Sequence, residues 1–197
     1  MEFIETIKKG INKMKKIPTL FKREFENHRV VKVLPEVTKG FEWVLNGDGI
    51  ATVKYDGSCC AIIDGEFYKR FDAKKGRKIP EGAIPCCEPD SVTGHHPHWV
   101  KVTDNSADKW YINAYNNTPE IKNMTYEAIG PHFNGNPYGL SDDILVPHGV
   151  DKIEVERTFE GIKEYLEEHY IEGIVFWYND EPKCKIKRSD FGFKWGK

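Results

Sequence analysis

Residues 58–71 read SCCAIIDGEFYKRF, two runs of apolar, aromatic and β-branched residues meeting at Asp64-Gly65. Asp-Gly between such runs suits a type I′ turn, which needs φ > 0 at both central positions, so 59–63 and 66–71 are predicted to pair antiparallel. The same grammar returns near the C-terminus, where EGIVFWY (172–178), Asn179-Asp180 and KCKIK (183–187) predict a closing hairpin. HRVVKVL (28–34), GIATVKY (49–55), KWYINAY (109–115) and MTYEAIG (124–130) are read as further strands. Two stretches are read as helices. MEFIETIKKGINKMKK places Ile4, Ile7, Ile11 and Met14 on one face. The other starts at a Thr158 cap and runs to about His169, with Phe159, Ile162 and Leu166 together. Residues 72–108, broken by prolines and glycines, read as loops with short strands, and HFNGNPYG (132–139) as turns. The expected fold is α+β, antiparallel sheets with flanking helices. A single domain over 1–197 is expected, with 1–28 a basic helical segment packing on it or extending it.

The formal net charge of −2 hides a strong division. Residues 1–40 carry ten Lys/Arg against five Asp/Glu, 183–197 six against one, and 41–182 thirteen against twenty-five. An acidic body with basic ends suits a polyanionic partner on a local patch. No apolar run approaches the ~18 residues of a membrane span, and no secretory apolar core opens the chain. The five cysteines are odd in number, four of them as adjacent pairs (Cys59-Cys60, Cys86-Cys87). That is a poor disulfide framework, so a cytoplasmic or other reducing intracellular location is expected.

One residue breaks the strand pattern. Lys54, in KYDGS (54–58), ends an apolar run, and burying an ammonium costs several kcal/mol unless something compensates. KYDG alone is a weak signal; a turn lysine is its commonest explanation. It gains weight from four further elements downstream, in order: RFDAK (70–74), Glu127 in YEAIG, Glu172 in EGIVFW, and Lys185 and Lys187 in KIK. This order resembles motifs I, Ia, III, IV and V of the covalent nucleotidyltransferase superfamily of ATP-dependent ligases and capping enzymes. The chain is similar more closely to the vertebrate-type 5′–3′ RNA ligases and their viral and microbial relatives. The resemblance is carried by KKIPTLFKREF (15–25), VKYDGSCC (53–60), TGHHPHW (93–99), YEAIGPHFNGNPYGL (126–140), LVPHG (145–149) and KIKRSDFGFKW (185–195), besides RFDAK and EGIVFW.

The resemblance implies a nucleotidyltransferase (adenylation) domain without an OB-fold domain. It implies a reaction in which Lys54 takes AMP from ATP, passes it to an RNA 5′-phosphate, and a 3′-hydroxyl then displaces it. A free lysine is neutral in only about one molecule in a few thousand at pH 7, so cations and partial burial are needed to favour the neutral amine. Lys185, Lys187 and a divalent metal (Mg²⁺ or Mn²⁺) would supply that field and hold the phosphates. Of the two lysines, the family pattern supports Lys185 more firmly. By the same resemblance Glu172 organises metal or water, Glu127 binds the ribose hydroxyls, Arg70 lies beside ribose and phosphate, and Lys74 belongs to the nucleotide-binding set. Asp56 would orient the lysine loop, and Gly57 would permit close backbone approach to a nucleotide. Many relatives carry a glutamate just before the lysine to read adenine; Thr52 and Val53 stand there, so adenine reading by backbone groups is expected. The partners implied are ATP and RNA with 5′-phosphate and 3′-hydroxyl ends, with no membrane, and the protein is expected to be a monomer.

Two other readings compete: a nucleotidyltransferase with another acceptor, such as GTP-dependent capping, and a catalytically silent nucleotide- or RNA-binding module. An intact lysine speaks against silence, because a binding site needs no nucleophile. The segment with Cys86, Cys87, His95, His96 and His98 lacks paired zinc-ligand spacing.

Overall fold

The computed structural model describes residues 16–27, 29–73, 78–90 and 94–196. In chain order the elements are strands β1 (Phe21–Glu26) and β2 (Arg29–Val37), helix α1 (Glu42–Leu45), and strands β3 (Ile50–Lys54), β4 (Ser58–Ile63), β5 (Glu66–Ala73), β6 (Ile84–Pro85) and β7 (His96–Lys101). Helix α2 (Lys109–Asn116), strands β8 (Thr125–Ile129) and β9 (Ile144–Pro147), and helix α3 (Phe159–Glu168) come next. Strands β10 (Gly173–Tyr178) and β11 (Glu181–Lys187) and a 3₁₀ turn (Arg188–Phe191) close the chain. Every pairing between these strands is antiparallel. The α+β expectation holds: mostly antiparallel sheet, with few helices. No described helix is long and apolar enough to cross a membrane.

The chain divides into two compact units, one on Asp56–His148, the other on Ile17–Tyr55 with Gly149–Lys197. The first unit holds a six-stranded sheet in the order β6-β7-β5-β4-β8-β9. Its β4–β5 turn has Asp64 at φ 53° and Gly65 at φ 80°, as the type I′ signal required. Period-2 alternation sends Cys60, Ile62, Tyr126 and Ala128 to one face, packed with Ala114 and Tyr111 of α2. Cys59, Ala61, Ile63 and Trp99 form a separate cluster. Cys59 pairs with Glu127, one residue out of step from the Cys60–Tyr126 pair, so Glu127 projects from the face opposite α2.

The second unit carries the β1–β2 ribbon and a three-stranded sheet, β11-β10-β3. Asn179 (φ 51°) and Asp180 (φ 58°) make the predicted β10–β11 turn. Ile174, Phe176, Cys184 and Ile186 line one face of that sheet and pack against Ile162 and Leu166 of α3, with Leu20 and Phe21. Each such aliphatic side chain, fully buried, stabilises by about 1.5–3 kcal/mol. Thr158 caps α3 as expected, its Oγ1 accepting from Gly161 N–H at 3.0 Å. Beyond the other end, the Arg188 guanidinium donates to the carbonyls of Leu166 and His169, satisfying acceptors the helix leaves over.

One expectation fails, and a second is met by strand at its described end. Residues 109–115, read as a strand from their aromatic and β-branched content, form α2; Tyr111, Ala114 and Tyr115 lie at i, i+3 and i+4 and pack on the sheet, so tertiary burial overrides strand propensity. The helical reading of 1–28 falls mostly outside the described residues, and its described end is strand β1. FKREFE looks like a charged surface segment, yet its Phe21 is buried and Lys22 ion-pairs with Glu36 on β2.

Candidate active site

Antiparallel register assembles one face of the second unit. Lys54 lies opposite Gly173, which lies opposite Lys187; two residues along, Thr52, Val175 and Lys185 form the next row on that face. Directly paired residues share a face, so Lys54, Lys185 and Lys187 project together, away from the core. Glu172, immediately before β10, sits among them with a side chain only 5% exposed. Its Oε2 accepts from Lys54 Nζ, and its Oε1 pairs with Lys187 Nζ at 2.5 Å. One buried carboxylate thus holds two ammonium groups from two strands. Gly173 is required for this closeness, because a Cβ there would lie 2.3 Å from the Ile186 carbonyl oxygen on β11. Lys187, the lysine with weaker family support, meets Glu172, while Lys185 stands two residues back on the same face.

The residues before Lys54 are already engaged. Val53 N–H donates to the Asp151 carbonyl at 2.9 Å, and Thr52 Oγ1 accepts from Trp177 Nε1–H at 2.9 Å. The Val53 amide is therefore spent on the 150–153 segment. After Lys54, Tyr55 OH donates to Asp151 Oδ2 at 2.9 Å. Burial, with the hydrogen bond and charge of Asp151 adding to it, pushes the Tyr55 phenol up to about 12.

The other named residues lie in the first unit, which begins at Asp56. Asp56 N–H donates to Tyr138 OH at 2.6 Å, and Asn134 Nδ2 donates to Asp56 Oδ1 (2.7 Å) and to the Gly57 carbonyl (2.8 Å). The NGNPYGL loop thus grips Asp56 and Gly57 of the KYDG motif. Gly57 is needed for a reason the sequence did not reveal: a Cβ would lie 2.1 Å from the Ala128 carbonyl of β8. Gly57 N–H donates to Glu127 Oε1 at 3.1 Å. Arg70, on β5, pairs with Asp72 (Nε–Oδ1 3.1 Å) and lies within electrostatic reach of Glu127. Lys74 lies outside the described residues.

The loop has its own anchor. Asp143, fully buried, accepts from His132 N–H (3.1 Å), His132 Nδ1 (2.8 Å) and Asn113 Nδ2 (3.1 Å), and the His132 ring stacks on Trp110. Burial alone would raise the Asp143 carboxyl, but these donors outweigh it and hold it below the usual carboxylate range. A carboxyl depressed on folding adds stability that is fully present above its unfolded value of about 3.9 and fades as pH falls through the folded value. Asp143→Asn is therefore expected to cost roughly 2 kcal/mol at pH 7, with a smaller difference from the natural protein at pH 3. Urea unfolding at both pH values checks this, and an unchanged difference would count against the charge.

Burial pushes the Cys59, Cys60, Cys86 and Cys184 thiols upward, which leaves them poor nucleophiles. Among the described residues no three His, Cys, Asp or Glu side chains converge as a metal cluster. One neighbour escaped the sequence reading: His148, in the LVPHG motif, lies against Glu127 with Nε2–Oε2 3.0 Å. Nothing in its spacing marks it; only the β8–β9 register brings it there.

Comparison with known proteins agrees with the resemblance to RNA ligases. The RNA ligase 1 family model matches residues 104–197. Among individual proteins, RNA ligase 1 of Rattus norvegicus is 27% identical, the match covering 92% of this chain and 82% of that protein. RNA ligase 1 of Pongo abelii is 25% identical over the same shares. That of Danio rerio reaches 37% over 39% of this chain and 26% of its own length. The resemblance to RNA ligases drawn from the motifs is thereby borne out over most of the chain, at modest identity.

Proposed function

We propose that this protein is an ATP-dependent RNA ligase with a nucleotidyltransferase fold, joining an RNA 5′-phosphate to a 3′-hydroxyl through AMP carried on Lys54. The observation that carries the reading is the Lys54–Glu172–Lys187 cluster, with Lys185 on the same face. Similarity to proteins named RNA ligase 1 supports RNA as the substrate.

In this reading the neutral Lys54 amine attacks the α-phosphorus of ATP, the bond to pyrophosphate breaks, and a proton leaves the nitrogen. An RNA 5′-phosphate oxygen then attacks the same phosphorus and the P–N bond breaks, giving RNA capped by AMP. Finally the 3′-hydroxyl attacks the RNA 5′-phosphorus and AMP departs. Lys54 must leave Glu172 before the first step, since an ion-paired ammonium has no lone pair to offer. Lys187 and Lys185 provide fixed positive charge for phosphate oxygens. Glu172 would hold Mg²⁺ or Mn²⁺: both of its oxygens already gather positive charge, and magnesium is commonly bound by one or two carboxylates plus phosphate oxygens. Bound there, the cation neutralises charge on the triphosphate. Glu127 takes the ribose hydroxyls, Arg70 lies beside ribose and phosphate, and Asp56 and Gly57 shape the loop after the nucleophile. A monomer completes the reading, in a reducing compartment that five free thiols favour.

The test is to incubate the protein with α-labelled ATP or GTP and magnesium, denature it, and look for label on the chain. Label from ATP, chased onto 5′-phosphorylated RNA, is expected. Label from GTP alone would favour a capping-type acceptor, and no label from either would favour a binding module.

A further inference from the structure

We propose that His148 is the positioning residue of Glu127, and that through it the protein distinguishes ribonucleoside from deoxyribonucleoside triphosphates. The proposal rests on Glu127 as the ribose-binding group. His148 directly succeeds β9, and its N–H donates to the Thr125 carbonyl at 3.0 Å, continuing the β8–β9 pairing. Thr125 and Glu127, two apart on β8, share a face. The imidazole spans both: Nδ1 lies 3.0 Å from Thr125 Oγ1, and Nε2 lies 3.0 Å from Glu127 Oε2.

The chemistry assigns the protons. An ionised carboxylate only accepts, so His148 Nε2 carries the hydrogen toward Glu127, and Nδ1 bonds the Thr125 hydroxyl, which can serve as donor or acceptor. Glu127 Oε1 is occupied separately by Gly57 N–H. Two donors on two different oxygens stop the carboxylate from swinging about its terminal torsion. A carboxylate has about four lone-pair sites, so each oxygen keeps acceptor capacity for one hydroxyl of a vicinal diol. With both side chains largely buried (Glu127 14% and His148 22% exposed), that capacity is not freely shared with water. ATP offers two such hydroxyls, and 2′-deoxy-ATP or 3′-deoxy-ATP offers one. A fixed carboxylate should reject the analogue that leaves an acceptor unmet, whereas a loose one adapts.

The experiment measures self-labelling with α-labelled ATP, 2′-deoxy-ATP and 3′-deoxy-ATP for the natural protein, Glu127→Ala, His148→Leu, His148→Gln and Thr125→Val. The natural protein should prefer ATP by about tenfold or more in kcat/KM. His148→Leu should reduce that preference to within about threefold, chiefly by raising KM for ATP. His148→Gln, whose amide reaches as far and can donate to Glu127, should restore most of it, a rescue that loss of packing alone would not show. Thr125→Val should lie between, and it preserves a readout if His148→Leu folds poorly. If Glu127→Ala loses the preference while the His148 and Thr125 variants keep it, His148 does not position Glu127 and the proposal is overturned. A preference undiminished in Glu127→Ala, or absent from the natural protein, removes the ribose role of Glu127 itself and the proposal with it.

Discussion

Lys54→Ala is expected to abolish covalent labelling by α-labelled ATP, a loss of at least about 10³-fold, because the variant leaves no amine at that position on β3. Lys54→Arg sharpens the result. A guanidinium still carries a positive charge for Glu172 but is never deprotonated in the accessible range, so the ion pair survives and the chemistry does not. Thermal unfolding of Lys54→Arg should stay close to that of the natural protein while its labelling is lost. Equal labelling of Lys54→Ala and the natural protein would remove Lys54 as the nucleophile. RNA that already carries a 5′-adenylate should still be sealed by Lys54→Ala, since that step breaks no bond to the lysine.

Glu172→Gln is expected to lower labelling by about 10²–10³-fold and to raise the magnesium concentration needed for half-maximal activity. The amide nearly preserves shape but withdraws the charge that holds Lys54 and Lys187 together. Without it, two ammonium groups on one sheet face meet with no counter-charge between them, and like charges at that range repel. If Glu172 did nothing but restrain Lys54, the variant would label faster, not slower. The direction of the change therefore decides between restraint and catalysis, and a magnesium titration separates cation binding from repulsion.

Much of the frame was legible locally. Asp64-Gly65 and Asn179-Asp180 announced their turns, since few residues tolerate positive φ there. Thr158 announced a helix start because its hydroxyl meets a backbone donor three residues on. Alternation alone placed Lys185 and Lys187 on one face of a strand. Local pattern could not choose partners. KWYINAY satisfies strand composition and helix spacing equally, and the choice fell to what its aromatic face could bury. FKREFE hid a strand because its charges are dense and its buried Phe21 is a single residue.

Lys54, Glu172, Arg70 and Glu127 were candidates from their order along the chain, and strand periodicity set which side of a sheet Lys54, Arg70 and Glu127 would face. Only the tertiary structure decided that Glu172 joins Lys54 to Lys187, that Gly57 must yield space to the Ala128 carbonyl, and that His148 stands against Glu127. Periodicity acts over a few neighbouring residues, whereas these contacts depend on the register between strands distant in sequence. That register follows from which side chains pack best across each sheet, a property of the assembled core that no single segment contains.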